Sequence, residues 1–101
     1  MEFAEVLTAI RDWLGRVAVP AQVQRDAADG LWVFFESENV LVELIVGNDD
    51  YTPWRFVSMT VLDTRLDPQA APVFTFWGNG DHTVSDILRE LDRAMEKFGA
   101  L

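Results

Sequence analysis

An α+β fold follows from three features of the sequence. Apolar residues recur at three- and four-residue steps at both ends of the chain, alternating apolar runs fill the middle, and turn residues separate those runs at short intervals. The predicted order is helix, an antiparallel meander sheet of four to five strands, helix. The simplest packing lays both helices side by side on one sheet face. The 101 residues make a single domain, 1–101, large enough to bury roughly two thirds of its unfolded surface.

The first helix is predicted from about Glu2 to Arg16, where Phe3, Val6, Leu7, Ile10, Trp13, Leu14 and Val17 form one broad apolar stripe. Gly15 weakens its last turn and Pro20 prevents continuation. Residues Ala21 to Arg25 suit a short strand, and Asp26 to Gly30 a turn.

The central hairpin, Gly30 to Gly47, is the longest apolar stretch, interrupted by turn chemistry at Ser37, Glu38 and Asn39. A loop with an even number of residues centred on Glu38 and Asn39 pairs Phe35 with Val42, Val33 with Leu44 and Leu31 with Val46 on a wholly apolar face. The opposite face then pairs Trp32 with Ile45, Phe34 with Glu43 and Glu36 with Leu41. A three-residue loop would mix the two classes on both faces, so the pattern selects the even register.

Gly47 to Pro53 reads as loop, and Trp54 to Asp63 as a long strand with Val57, Met59 and Val61 facing the core. Asp67 to Pro72 connects it to a last strand, Val73 to Trp77, in which Phe74 and Phe76 share one side. In the C-terminal helix Thr83 is the expected N-cap with Asp86 at the third helical position, and Gly99 stands where an αL cap would. Val84, Ile87, Leu88, Leu91, Met95 and Phe98 form its apolar stripe.

The sheet face turned from the helices is predicted to present Trp32, Phe34, Leu41, Ile45, Trp54, Phe56 and Trp77. Such a patch on a soluble chain points to a homodimer or a protein partner, the alternative being that one helix covers each face and these residues are core. The net charge of −9 sharpens this. Between Arg25 and Arg55 lie seven acids (Asp26, Asp29, Glu36, Glu38, Glu43, Asp49 and Asp50) and no basic residue. Direct nucleic-acid binding is disfavoured, because an aromatic surface that stacks on bases also needs Lys and Arg for the phosphates. A partner with a basic surface fits instead.

Helix, meander and helix in a small acidic chain resembles the type III secretion chaperone-like superfamily, including its YbjN-type members. The local likeness lies in the opening helix around AIRDWLG and in the strand, Gly, Thr and helix from Val73 to Phe98. The helix that such chaperones carry between their strands has no counterpart in 49–53 or 67–72. The resemblance implies protein binding, often with dimerisation, and no catalysis.

Catalytic and metal readings find little to stand on. His82 is the sole histidine, beside Asp81 in a turn. Gly78, Asn79 and Gly80 precede a helix, but no phosphate-binding Lys or Arg accompanies them, and Asp81 would repel an anion. Asn48, Asp49 and Asp50 lack the spacing of a calcium loop. Glu36 and Glu43 share a face, where strand-surface acids usually serve solubility. No enzyme activity, cofactor or metal is predicted. The absence of cysteine excludes disulfides and thiolate metal sites, no apolar run reaches the ~20 residues of a membrane span, and acids precede any basic residue at the N-terminus. A cytoplasmic protein is expected.

The partner-binding residues predicted are Trp32, Phe34, Glu36, Leu41, Glu43, Ile45, Trp54 and Phe56, with Asp49 and Asp50 steering from a loop. Two roles compete: a chaperone or adaptor that shields a client, and a stoichiometric inhibitor, such as a toxin immunity protein or a phage-type antagonist, that fills the basic groove of a nucleic-acid-binding enzyme.

Overall fold

A computed structural model of the chain describes residues 2–47 and 56–101. Helix α1 (Phe3–Arg16) leads into β1 (Gln22–Ala27), β2 (Gly30–Glu36), β3 (Val40–Gly47), β4 (Val57–Asp63) and β5 (Pro72–Gly78), and α2 (Val84–Ala100) closes the fold. The five strands form one antiparallel sheet in chain order, β1-β2-β3-β4-β5. Every connection is therefore between neighbours.

The even hairpin register is present throughout: Leu31 lies opposite Val46, Val33 opposite Leu44 and Phe35 opposite Val42, with Trp32, Phe34 and Glu36 opposite Ile45, Glu43 and Leu41. Alternation then sorts the sheet into two faces. Leu31, Val33, Phe35, Val42, Leu44, Val46, Val57, Met59 and Val61 are buried on one of them, together with Val6, Leu7, Ile10 and Trp13 of α1 and Ile87, Leu91 and Ala94 of α2. Both helices therefore cover the same face.

The two helices are tied together and to the sheet by specific contacts. Trp13 sets its ring edge-on to Phe35, with centroids 6.3 Å apart, and its indole N–H donates to Asp92 Oδ1 of α2 at 2.8 Å. The indole thus supplies apolar bulk to the core while its one polar atom finds a partner at the rim. Arg11 reaches from α1 to Asp26 and to the carbonyl of Ala27, fastening the helix over the first hairpin. Helix α2 starts with a complete capping box: Thr83 accepts from the Asp86 amide and Asp86 accepts from the Thr83 amide.

Several boundaries differ from the sequence reading. Strand β1 runs to Ala27, which pairs with Gly30, so Asp26 and Ala27 belong to the ladder and the turn shrinks to Ala28 and Asp29. The strand is exposed along almost all of its length and carries a register shift between Val23 and Arg25, a common blunting of an edge strand. Pro72 opens β5, where an edge tolerates a residue without an N–H. Gly99 lies inside α2 with no left-handed backbone, so the expected αL cap does not form there.

Phe56 is the correction that bears on the candidate site. It precedes β4, and its ring packs on Phe3 of α1 with centroids 5.8 Å apart, joining the rim of the helix-side core. Strict alternation from Val57 would have sent it to the opposite face. Its backbone still bonds to Gly47 and Gly78 at the ends of β3 and β5, but at this end of the sheet the apolar first turn of α1 is within reach and takes up the ring.

Candidate protein-binding face

The sheet face turned from the helices is built of cross-strand rows. One runs Arg25, Trp32, Ile45, Ser58, Trp77 over all five strands, and the next runs Gln22, Phe34, Glu43, Thr60, Thr75. A third brings Glu36, Leu41 and Leu62 together. Neither α1 nor α2 covers these residues, and Trp32, Ile45 and Trp77 keep 40%, 42% and 55% of their surface exposed. Phe34, Leu41 and Glu43 are half-buried by their neighbours, and Glu36 is exposed.

The aromatic residues on β2 are ordered by mutual contact. Trp32 and Phe34 stand two positions apart on the same side of the strand, their rings tilted by 60° with centroids 5.5 Å apart. Trp32 also donates its indole N–H to Glu43 Oε2 at 2.9 Å, diagonally across to β3. Glu43 is thereby fixed beside two aromatic rings with its second oxygen unused by that bond. Next to Trp32 a shallow hollow of about 370 Å³ is lined by Arg25, Leu31, Trp32, Ile45, Val46 and Gly47. The facing glycines Gly30 and Gly47 keep this end of the face low. At Gly30 a Cβ would lie 2.8 Å from the Val46 carbonyl oxygen, a close approach that only glycine permits.

The charge is more structured than a count shows. Asp26 is held by Arg11 and Asp29 by Arg25, both at 2.7 Å. Two of the seven acids in the 25–55 interval are thus internally compensated. Among the described residues, Glu36, Glu38 and Glu43 have no ion-pair partner. Among the described acids of this interval, the uncompensated ones therefore sit on the β2–β3 hairpin.

Of the residues predicted to meet a partner, Trp32, Phe34, Glu36, Leu41, Glu43 and Ile45 share this face, and Phe56 does not. Trp54, Asp49 and Asp50 lie outside the described residues. Trp77 completes the long row, and its place was legible from the alternation of β5. The hydroxyl residues Ser58 and Thr60 of β4 and Thr75 of the edge strand β5 carried no sequence signal beyond their parity.

The other candidate groups are engaged locally. His82 accepts the Asn79 amide on Nδ1 at 3.2 Å and sets its ring edge-on to Phe76, while the Asp81 amide donates to Asn79 Oδ1. Those bonds close the turn before α2. Among the described residues no group of three His, Asp or Glu is arranged to hold a metal ion.

Sequence reasoning passed over Asp63. It is the one buried charged residue among those described, at the end of β4, and Arg65 grips both of its oxygens at 3.0 and 2.9 Å while the Arg65 amide donates to Oδ1. The Arg65 guanidinium bonds, followed by its backbone N–H, hold the Asp63 carboxyl below the usual carboxylate range. This pins the β4–β5 connection on the helix side, away from the open face.

No described helix is long and apolar enough to cross a membrane. No protein-family model matches the chain, and no curated protein or solved structure matches it.

Proposed function

We propose that this protein is a non-catalytic protein-binding module, chaperone- or adaptor-like, that receives a partner with a basic surface on its open sheet face. The observation that carries the reading is the combination on that face of exposed Trp32, Ile45 and Trp77 with Glu36 and Glu43, which have no cation partner among the described residues. Scattered apolar residues on a surface need no explanation, but here Trp32 and Ile45 pair directly across β2 and β3 beside Phe34, with Trp77 further along the same row, and clustering of that kind supports a contact surface. Aromatic residues supply contact area at low entropic cost, and the carboxylates select the sign of the partner. The resemblance to type III secretion chaperones points to the same kind of role.

A second reading rests on the same carboxylates. Glu36, Glu38 and Glu43 cluster on one hairpin, so a stoichiometric inhibitor, such as an immunity protein or a phage-type antagonist, would present them to the basic groove of a nucleic-acid-binding enzyme. Breadth separates the two roles: an inhibitor takes one partner tightly, a chaperone several. Pairing of two copies through this face, the homodimer expected from sequence, is the competing occupant. It is handicapped because Glu43 sits mid-strand on the central strand β3, where a two-fold axis would bring two carboxylates together.

The test is comparative capture from a lysate of the source cells. Ile45→Asp should lose the partners that the parent chain retains, whereas Glu96→Lys on the exposed side of α2 should keep them. Equal capture by all three chains, each folded by circular dichroism, would remove the open face from the function.

A further inference from the structure

We infer that the open face recognises arginine in particular, seating a guanidinium of an extended partner segment against Glu43 and the Trp32–Phe34 ring pair. This rests on the reading of the face as a protein-binding surface and names the chemistry of its occupant. The Trp32 indole N–H engages Glu43 Oε2 at 2.9 Å, which orients the carboxylate and leaves its Oε1 outside that bond. Phe34 lies directly opposite Glu43 on β2, its ring 5.5 Å from that of Trp32, and Thr60 lies opposite on β4. A planar cation arriving from solvent therefore meets a fixed acceptor with aromatic surface on one side and a hydroxyl on the other.

Guanidinium suits this arrangement better than ammonium. It is planar, stacks on aromatic faces, sheds water more readily and offers several parallel donors to a carboxylate, whereas a Lys ammonium is a compact and strongly hydrated point charge. Charge complementarity sets the sign, since the chain carries −9 overall and Glu36, Glu38 and Glu43 have no ion partner among the described residues. A second copy of the chain is a poor source of the cation. Arg11, Arg25, Arg65, Arg89 and Arg93 each already hold a carboxylate, which leaves Arg16 as the one described arginine outside an ion pair. Together with the like carboxylates that a two-fold axis would oppose on β3, this favours a different protein as the occupant, presenting arginine among apolar side chains.

The experiment titrates the ¹⁵N-labelled protein at physiological ionic strength with short blocked peptides in which arginine, lysine or citrulline alternates with leucine. Indole N–H signals, assigned by single Trp→Phe replacements, report the site, and sedimentation reports the oligomeric state. The arginine peptide should bind about fivefold more tightly than the lysine peptide and shift the Trp32 indole signal, with the citrulline peptide weakest. Glu43→Gln should abolish the preference for arginine over lysine, and Trp32→Phe should reduce it. Equal affinity for the arginine and lysine peptides, or shifts confined to the helix side, would overturn the inference while leaving the binding face in place if Ile45→Asp still loses captured partners. A stable dimer whose open-face signals ignore every peptide would overturn it by making the second copy the occupant. If capture were also unaffected by Ile45→Asp, the functional reading would fall with it.

Discussion

Trp32 and Glu43 are joined across β2 and β3 by an indole hydrogen bond of 2.9 Å on the side of the sheet turned from both helices, while their neighbours Val33 and Leu44 face each other in the sealed core on the other side. One hairpin thus carries both the structural centre and the proposed contact surface. Adjacent residues on it should respond to substitution in opposite ways.

Leu44 and Ile45 make the simplest comparison. Leu44→Ala removes a side chain with no exposed surface and should cost about 2–5 kcal/mol, a large share of a typical stability of roughly 5–15 kcal/mol. Ile45→Ala on the open face should cost under about 1 kcal/mol. Urea unfolding of the two variants checks this. Equal losses would mean that something covers the open face in the free protein.

Trp13 and Asp92 are predicted to act as one unit between the helices. Their bond is the polar tie between α1 and α2, so removing either partner should destabilise the fold by about 1 kcal/mol beyond any packing loss. Asp92→Asn, which can still accept, should be milder than Asp92→Ala. A double-mutant cycle with Trp13→Phe should show a coupling energy clearly above zero in chemical denaturation.

Asp63 gives the pH dependence its sign. Its folded carboxyl is held below the ordinary range by Arg65, so the contribution to stability is present above the unfolded pKa near 4 and is lost as pH falls through the lower folded value. Asp86, lowered by the Thr83 amide first and the Thr83 hydroxyl second, acts in the same direction at the cap of α2. Stability should therefore decline below about pH 4, and Asp63→Asn should flatten part of that decline. Denaturant midpoints measured from pH 7 to pH 3 test this, and an unchanged profile in the variant would contradict it.

Thr83→Ala should cost about 0.5–2 kcal/mol through loss of the cap on α2, with Thr83→Ser nearly neutral because a hydroxyl is retained. Thermal melts of both variants would separate the cap from general packing effects.

Much of the fold was legible because two periodicities rarely conflict in this chain. Alternation in Leu31 to Phe35 and Val40 to Val46 determined the hairpin register residue by residue, since a slip by one would have exposed Val33 and Leu44 and buried Glu43. The cap at Thr83 was legible for a similar reason: its side-chain chemistry is local. Features set by tertiary contact were not. Phe56 follows Phe3 rather than its strand parity, Gly99 continues a helix that its residue type would be expected to end, and the buried Asp63 finds its partner in Arg65, which folds back to it. In the candidate site, the parity of Trp32, Glu43, Ile45 and Trp77 could be read from sequence, but the diagonal bond from Trp32 to Glu43 could not. Nor could the pairing of Asp26 and Asp29 with Arg11 and Arg25, which removes two of the seven acids of the interval from the free charge.

The most direct test of the account replaces Glu36 and Glu43 together by Lys and measures binding of a captured partner by surface plasmon resonance at two salt concentrations. Circular dichroism serves as the folding control. The account predicts a folded protein with affinity reduced at least about tenfold, and a parent complex whose association slows as salt shortens the Debye length from about 30 Å at 0.01 M to about 8 Å at 0.15 M. A double variant that binds as tightly as the parent at both salts would contradict it, and would leave the carboxylates of the open face with a role in solubility alone.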